Sequence, residues 1–274
     1  MMLQENAKVM WNQKVGPGYY RLGLGCNQGY ARTVPGQFVM LRLAEQTFPL
    51  LSRPFSVHRL IVSQGRIKGL EILYKVIGRC TQRFSRLAQN DSVQLLGPLG
   101  RGFEIVAAAQ IYYLAAGGVG VAPMVFLASY LKTQGVDMSE CTLFLGARTE
   151  ADLLCRDDFS ALGLRIHVTT EDGSTGERGL VTHSLKVAVA SKRPDMLLAC
   201  GPVEMLANVG GMAHKYAVPC QISIETMMAC GLGACLGCAI EAKDSPSKYL
   251  HACLDGPVFA AEDLKLELMA KKPI

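Results

Sequence analysis

Glu225-Thr-Met-Met-Ala-Cys230-Gly-Leu-Gly-Ala-Cys235-Leu-Gly-Cys238 is the stretch around which the chain is organised, and Cys253 follows it after a gap of hairpin length. The spacing C-x4-C-x2-C with a fourth, later cysteine is the ligand pattern of a 2Fe-2S cluster. Glycines between the cysteines let the loop curl so that its backbone N–H groups face the cluster sulfurs. The pattern therefore predicts four metal ligands: Cys230, Cys235, Cys238 and Cys253.

Two other interpretations of these cysteines stay open. A structural zinc site usually has two matched C-x2-C pairs, whereas this loop has one such pair and a wider step. Cysteines without any ligand are the second alternative. A 2Fe-2S protein is reddish-brown and a zinc site is colourless, so the colour of the protein distinguishes them.

The composition indicates a globular protein with more than one domain. Half of the 274 residues are hydrophobic, which is enough for two domains and a small module. The formal net charge of +5 is spread without a block of Lys or Arg, which argues against a nucleic-acid surface and favours an anionic small ligand. Residues 105–131 carry no charge, but glycines and Pro123 interrupt them, so we expect strand, turn and helix there and no membrane span.

The ten cysteines do not indicate a secreted disulfide framework. Glu5 and Lys8 stand where a signal peptide would need an apolar run, so we expect a reducing cytoplasm. The five histidines show no pairing at metal-ligand spacing and are expected to be structural. Four cysteines outside the cluster motif are expected to be small buried hydrophobic residues: Cys26, Cys141, Cys155 and Cys220.

The first hundred residues are predicted to form a small antiparallel β-barrel. Short runs typical of strands occur at residues 36–43, 70–77 and 92–96, and turn residues separate them. Within this region, Arg53-Pro54-Phe55-Ser56 places a fixed cation beside a hydroxyl on a stiffened segment, which suits a pyrophosphate and the edge of a flavin. Taken alone, the tetrapeptide is better explained as an edge strand with a solvated arginine.

From Gln110 onward, strands and helices alternate, which predicts a doubly wound parallel sheet. Strands are expected at residues 111–116, 142–145, 165–169, 196–199 and 221–224. Helices are expected at residues 123–134, from Thr149, at 180–190 and at 203–216. The helix from Thr149 is suggested by Thr149 and Asp152, which have N-cap and N3 spacing.

Three segments with cofactor chemistry fall at the carboxyl ends of these strands, where ligands bind in this architecture. In the first, Gly117, Gly118 and Gly120 allow a nucleotide backbone to approach, and Pro123 is expected to open the following helix. Its pattern, G-x-G-x-x-P, departs from the Rossmann fingerprint. The other two segments are Gly146-Ala147-Arg148, whose Arg148 is expected to face a ribose or phosphate, and Cys200-Gly201-Pro202.

Together these parts resemble the ferredoxin-reductase superfamily and, within it, the electron-transfer subunits of the NAD-linked bacterial dihydroorotate dehydrogenase. In that family the R-P-x-S segment, here Arg53 to Ser56, binds FAD. A second FAD segment resembles Tyr74-Lys75-Val76-Ile77-Gly78-Arg79-Cys80-Thr81, which Leu73 precedes. The segments at Gly117 to Pro123 and at Cys200 to Pro202 resemble the family's nicotinamide-nucleotide contacts.

One residue departs from the family pattern, because Cys80 stands where the second FAD segment usually has glycine. A side chain there is expected to alter the packing or the potential of the flavin. Thr81 is the better candidate for a contact with FAD.

The resemblance implies three parts: an FAD-binding β-barrel domain at residues 1–105, an NAD-binding α/β domain at 106–220 and a 2Fe-2S module at 221–274. It implies that dihydroorotate is oxidised at the FMN of a separate catalytic chain, as a step of pyrimidine biosynthesis. Electrons would then pass through the cluster and FAD of this chain to NAD+, because a flavin can exchange electrons both singly and in pairs. A heterotetramer with two copies of each chain is expected, with no dihydroorotate site and no catalytic acid or base on this chain.

Two rival functions remain at this point. One is the small subunit of another NAD(P)H reductase, such as a ferredoxin:NADP oxidoreductase or a hydrogenase diaphorase-like subunit. The other is a non-enzymatic scaffold that holds zinc. Four residues flank the cysteines and would either contact the catalytic chain or shield the cluster from water: Met227, Met228, Leu232 and Leu236.

Overall fold

The computed structural model describes residues 2–44, 50–243 and 248–266. The first part of the chain is a curled antiparallel sheet of seven strands in the order β4-β3-β7-β1-β2-β6-β5. The strands are β1 (Leu3–Gly16), β2 (Tyr19–Gly25), β3 (Phe38–Leu43), β4 (Arg53–Ser56), β5 (Arg59–Ser63), β6 (Arg66–Lys75) and β7 (Ser92–Leu99). A short helix, α1 (Arg79–Phe84), connects β6 to β7.

The barrel forms because alternate side chains along its strands are apolar. Every second residue of β7 is buried, from Val93 to Leu99, so one face of the strand lines the core while the other stays partly open to solvent. The edge strands β4 and β5 are joined only by Val57 and His58, and the backbone N–H of His58 donates to the carbonyl of Glu71 in β6 (2.8 Å). The predicted barrel is confirmed.

The second part is a sheet of seven strands in the order β11-β10-β9-β8-β12-β13-β16. All neighbours are parallel except β13 and β16, which are antiparallel. The strands are β8 (Tyr112–Gly117), β9 (Thr142–Ala147), β10 (Arg165–Thr170), β11 (Glu177–Arg178), β12 (Met196–Cys200), β13 (Cys220–Ser223) and β16 (Val258–Ala260). The helices are α2 (Val121–Thr133), α3 (Arg156–Leu162), α4 (Val181–Ser191) and α5 (Val203–Lys215).

Between β13 and β16 lie the cysteine-rich loop and a small hairpin of β14 (Ala239–Glu241) and β15 (Tyr249–His251). The predicted doubly wound sheet and the additional C-terminal module are both present. Because β16 returns to the second sheet, the cysteine-rich segment is tied to that sheet at both of its ends. The division of the chain at residues 105 and 220 stays a prediction.

Two expected helix starts are wrong. The helix predicted from Thr149 is a single 3-10 turn at Glu150–Asp152, and α3 begins only at Arg156. The Asp152 carboxylate cannot complete a helix cap there because it accepts hydrogen bonds from Tyr19 (2.8 Å) and from the Thr149 hydroxyl (3.2 Å). Likewise, Pro123 does not open α2, which begins two residues earlier, directly after Gly120.

The uncharged residues 105–131 contain β8, a glycine turn and α2, as expected. None of the helices in the described ranges combines the length and the hydropathy of a membrane-spanning segment. Apolar side chains on α2 instead pack on the parallel sheet, and Phe126 packs into the core of the barrel. The helix therefore connects the two parts of the protein.

Half-buried charges join the barrel to α3. Arg21 of β2 and Arg59 of β5 both bind the carboxylate of Asp158. The guanidinium of Arg21 also donates to the sulfur of Cys155 (3.4 Å). Of the four cysteines expected to be buried hydrophobic residues, Cys141 is buried, whereas Cys26, Cys155 and Cys220 are only half-buried, and Cys155 also makes this polar contact.

A buried histidine joins the barrel to α2 in the same region. The Nδ1 atom of His58 lies 2.7 Å from the carbonyl oxygen of Ala122, and its Nε2 atom lies 3.6 Å from Glu71 Oε1. The side chain is completely buried. Burial lowers the pKa of His58 from its ordinary value of 6.5 to about 3, so the ring is neutral at pH 7.

We predict that this histidine makes the protein sensitive to mild acid. The unfolded chain takes up a proton below pH 6.5 that the folded chain refuses until about pH 3, so the contribution of His58 to stability is lost across that range. Between pH 7.5 and pH 5.0, the wild type should lose about 2 kcal/mol more than His58→Asn in the free energy of unfolding. Urea unfolding of both proteins at the two pH values measures this, and equal losses would contradict it.

Candidate functional site

The cysteine-rich loop needs backbone conformations that few residues adopt. Gly231 and Gly233 have φ angles of +71° and +78°, and Leu236 has +56°. A Cβ atom on Gly231 would lie 2.7 Å from the Cγ of Met40, because the loop packs directly on β3 of the barrel. The glycines therefore set both the curl of the loop and its distance from the barrel.

Backbone N–H groups in this loop point at sulfur atoms. Leu232 and Cys235 donate to the sulfur of Cys230 (3.3 and 3.4 Å), and Gly233 donates to that of Cys253 (3.1 Å). These hydrogen bonds lower the pKa of the Cys230 thiol to about 6, and the bond from Leu232 has the largest effect. Burial, followed by the nearby thiol of Cys238, raises the pKa of Cys253 to about 12. The loop thus already stabilises a thiolate at its outer edge.

The donor set fits a 2Fe-2S cluster better than a single zinc ion. The sulfur atoms of Cys238 and Cys253 form a close pair, 3.3 Å apart. However, no three of the four cysteine sulfurs, all in the described part of the chain, lie within 4.8 Å of one another. Tetrahedral zinc would need all four sulfurs about 3.8 Å apart, given Zn–S bonds of about 2.3 Å. Two iron atoms require two separated pairs of ligands.

The first predicted FAD segment forms the edge strand β4, and all four of its side chains are half-buried. Pro54 lies on an edge strand, as the alternative interpretation of this tetrapeptide expected, because β4 pairs only with β3. Arg53 is held by the carbonyl oxygens of Leu51 and Ser52 (2.9 and 3.2 Å). Its charge lies close enough to Cys80 to oppose the rise in the pKa of that thiol, which burial causes. The two predicted FAD segments therefore lie side by side, and the rings of Phe55 and Tyr74 are in edge contact, with centroids 5.9 Å apart.

The side chains of the second predicted FAD segment lie in two different environments. Tyr74 is buried in the barrel and donates to Asn12 (3.2 Å), whereas Leu73 is buried in a core of the second sheet. Lys75 is half-buried, over the ring of Tyr19. Since neither Leu73 nor Tyr74 exposes its side chain, a contact between FAD and these two residues would use their backbone.

The same segment ends in α1. The Thr81 hydroxyl accepts hydrogen bonds from the backbone N–H groups of Ile77 and Gly78 (3.0 and 3.2 Å), which holds the turn before the helix. Cys80 is buried beside it. Gly78 faces open space, so a ligand can approach its backbone.

The glycines at the carboxyl edge of the second sheet have different roles. A Cβ atom on Gly117 would lie 2.8 Å from Pro202, and one on Gly120 would lie 2.5 Å from the carbonyl oxygen of Cys200. A Cβ atom on Gly201 would lie 3.0 Å from the backbone nitrogen of Gly117. These three glycines let the turns after β8 and β12 pack together. Only Gly118 of the four has open space around it, with a φ angle of +55°.

The remaining predicted nucleotide contacts lie on the same edge. Arg148 follows β9 and is exposed, with no ion pair among the described residues. Cys200 is buried at the end of β12, and burial, followed by the carboxylate of Glu225, raises the pKa of its thiol. Pro123 is buried in the first turn of α2. Arg148 and Gly118 therefore offer the accessible contacts of this group.

Sequence reasoning missed two charged features near these segments. Glu225 follows β13 at the start of the cysteine-rich loop; the residue as a whole is exposed, but burial around its carboxyl group raises the pKa of that group, and its nearness to Cys200 gave no signal in the sequence. The second is the group formed by His58, Cys155 and Asp158, whose ligand atoms lie within 4.8 Å of one another. Two guanidinium groups already neutralise Asp158, which argues against a cation there.

Comparisons with known proteins agree with this architecture. A family model described as the iron-sulfur cluster binding domain of dihydroorotate dehydrogenase B matches residues 225–265. A model described as the oxidoreductase NAD-binding domain matches residues 114–210. These two ranges contain the four cysteines and the glycine turns.

Two curated relatives cover nearly the whole chain. The chain is 36% identical to the dihydroorotate dehydrogenase B (NAD(+)) electron transfer subunit of Desulforamulus reducens, over 93% of this chain and 95% of that protein. It is also 36% identical to the subunit of the same name from Clostridium acetobutylicum, over 94% of this chain and 96% of that protein.

Solved structures share the fold. The structure of the NADH-dependent reduced ferredoxin-NADP oxidoreductase is similar, with a TM-score of 0.83 and 27% identity over 97% of this chain and 91% of that chain. A ferredoxin NADP+ reductase from Neisseria gonorrhoeae with bound FAD and NADP has a TM-score of 0.65 and 18% identity, over 78% and 91% of the two chains.

We predict that Gly118 and Gly120 respond differently to alanine. Gly120→Ala should lower the free energy of unfolding by about 1–3 kcal/mol, because its methyl group meets the backbone of Cys200 and Gly201. Gly118→Ala should cost about 1–2 kcal/mol for its left-handed backbone and should also weaken NADH binding, because the methyl group occupies open space. Unfolding curves and NADH titrations of both variants measure this. Unchanged NADH affinity in Gly118→Ala would contradict the assignment.

Proposed function

The chain belongs to the family of electron-transfer subunits of NAD-linked dihydroorotate dehydrogenase B, and from this premise we propose that it carries electrons from a catalytic subunit to NAD+. The electrons would come from dihydroorotate, oxidised at the FMN of the catalytic subunit. They would pass through a 2Fe-2S cluster and FAD on this chain. The observation that carries this proposal is the packing of the four-cysteine loop against the flavin barrel, where Gly231 touches Met40.

Each cofactor would be held by residues already described. Four cysteines would hold the cluster, and backbone N–H groups would stabilise its charged sulfurs. Arg53 and Ser56 would bind the flavin nucleotide, beside the backbone of residues 73–81. Gly118 and Arg148 would bind NAD+ at the carboxyl edge of the second sheet. FAD supplies the step between single-electron and paired-electron transfer.

The protein's own contribution is to bind and orient. Hydride transfer to a nicotinamide needs the reacting atoms about 3–3.5 Å apart, and a rigid frame provides that approach. None of the residues at the carboxyl edge needs to act as a general acid or base. The preference for NAD+ over NADP+ would depend on what Arg148 meets, a ribose hydroxyl or a 2′-phosphate.

The catalytic subunit is expected to dock beside the cluster. Met227, Leu232, Leu236 and Leu254 are exposed around the cysteine-rich loop, and Cys235 among them is the exposed ligand. Met228 is half-buried against the core, so it supports the loop and is a lesser candidate for contact. A heterotetramer of two chains of each kind would place each cluster at such an interface.

The cysteines also bear on the compartment of the protein. None of the ten cysteines forms a disulfide, which suits a reducing cytoplasm.

A second candidate function comes from the similarity to the NADH-dependent reduced ferredoxin-NADP oxidoreductase. A chain of this fold could instead be the small subunit of such a reductase. That function predicts electron exchange between NADH and a ferredoxin partner, and no NAD+ reduction by dihydroorotate in the presence of a catalytic chain.

We predict that Cys235→Ser, co-expressed with the catalytic chain, abolishes NAD+ reduction by dihydroorotate. Reduction of a small dye by NADH should persist, because that reaction needs FAD and the NAD+ site but no cluster. Cys26→Ser, outside the loop, should retain both activities. Iron and flavin contents identify which cofactor each variant has lost. Dihydroorotate-dependent activity in a Cys235→Ser protein without iron would contradict the relay.

We also predict that Met227→Glu and Leu236→Glu weaken binding to the catalytic chain by tenfold or more, about 1.4 kcal/mol, because they bury a charge in an apolar contact. The two side chains are 75% and 57% exposed, so the isolated chain should keep its stability and its iron. Val62→Glu is the matched control, since Val62 is 58% exposed on edge strand β5 of the barrel. Sedimentation with the purified catalytic chain measures association, and unchanged binding would contradict the proposed docking surface.

A further inference from the structure

His58 lies where the flavin segment meets the rest of the barrel. Edge strand β4 ends at Ser56, the last residue of the first FAD segment, and β5 begins at Arg59. Only Val57 and His58 connect these strands. The backbone N–H of Val57 donates to Gln37 (3.1 Å), and that of His58 donates to Glu71 (2.8 Å). The position of His58 is therefore fixed to that of the FAD segment.

The side chain of His58 reaches the nucleotide segment. Its Nδ1 atom lies 2.7 Å from the carbonyl oxygen of Ala122, the second residue of α2 and only two residues beyond Gly120. A carbonyl oxygen can only accept a hydrogen bond, so Nδ1 carries the proton of the neutral ring and donates it. One side chain thus links the segment assigned to FAD with the turn assigned to NAD+.

Behind the ring lie charged groups that make no hydrogen bond to it, since His58 Nε2 and Glu71 Oε1 are both buried without a hydrogen-bond partner among the described residues. Glu71 Oε1 lies 3.6 Å from His58 Nε2 and 3.6 Å from Arg59 Nε, and Glu71 Oε2 accepts a hydrogen bond from Trp11 (3.2 Å). Arg59 also binds Asp158 of α3. The ring is completely buried and its hydrogen bond to Ala122 is the one hydrogen bond that the described part of the chain gives it, so close packing restricts its rotation and the hydrogen bond fixes its direction.

We propose that His58 is a positioning residue for transfer between the flavin and the nicotinamide, because its hydrogen bond to Ala122 fixes the turn that binds NAD+ relative to the segment that binds FAD. The proposal rests on the proposed function of these two segments. Hydride transfer is sensitive to distance, and a displacement of about 1 Å can lower a rate about 100-fold. The side chain of His58 itself is completely buried and reaches no exposed surface.

Three variants separate the hydrogen bond from general packing. His58→Asn places an amide N–H near the position of Nδ1 and can restore the bond to Ala122. His58→Leu fills a similar space without a donor. His58→Gln keeps a buried amide but places it toward Glu71, and it carries the comparison if the leucine variant does not fold.

The measurement is the rate of flavin reduction at saturating NADH, by stopped flow, together with the NADH dissociation constant and the FAD content. His58→Leu and His58→Gln should keep FAD and bind NADH within about threefold of the wild type, but should reduce flavin at least tenfold more slowly. His58→Asn should stay within about threefold in rate. Without NADH or turnover, hydrogen exchange of residues 121–126 should be faster in the first two variants and near wild type in the third.

Several outcomes would overturn the proposal. A slow rate in His58→Asn equal to that in His58→Leu would show that the hydrogen bond to Ala122 is not the cause. A lower unfolding temperature with an unchanged rate of flavin reduction would show that His58 has a structural role only. A wild-type protein without FAD, or without NADH-dependent flavin reduction, would instead remove the proposed function on which the inference rests.

Discussion

One hydrophobic core is shared by all three parts of the chain, and the rest of the structure depends on it. Met40 and Leu99 of the barrel, Ala115 of the parallel sheet, and Cys238 and Cys253 of the cysteine-rich segment all belong to this core. Because protein interiors pack as densely as organic crystals, parts that share a core keep a fixed separation. A chain that passes electrons between bound cofactors needs that property more than it needs reactive side chains.

Local sequence patterns predicted most of the architecture. Turn residues and short apolar runs indicated the barrel, and alternating strands and helices indicated the parallel sheet. The failures occurred where distant residues compete for a local group. Thr149 and Asp152 have capping spacing, but Tyr19, 133 residues away from Asp152 in sequence, takes the carboxylate and no long helix forms. Spacing alone cannot reveal such a competitor.

The sites show the same limit. The cysteine spacing predicted a cluster because three of the four proposed ligands, Cys230, Cys235 and Cys238, lie on one loop and their geometry is local. The glycines of the nucleotide turns were harder to interpret, since a glycine admits a neighbouring protein backbone as readily as a ligand. Gly120 and Gly201 serve the first purpose and Gly118 has the space for the second. The contact between Arg21 and Asp158 spans 137 positions, which no single-sequence pattern reports.

The cysteine-rich loop is unequal in its protection from solvent. Cys238 and Cys253 are buried in the shared core, whereas Cys235 is exposed at the tip of the loop. Dioxygen and other small oxidants would therefore reach a bound cluster from the side of Cys230 and Cys235. A subunit docked over that side would shield the cluster from oxidants. A chain made in excess of its partner would therefore lose its cluster in air more quickly than the assembled complex.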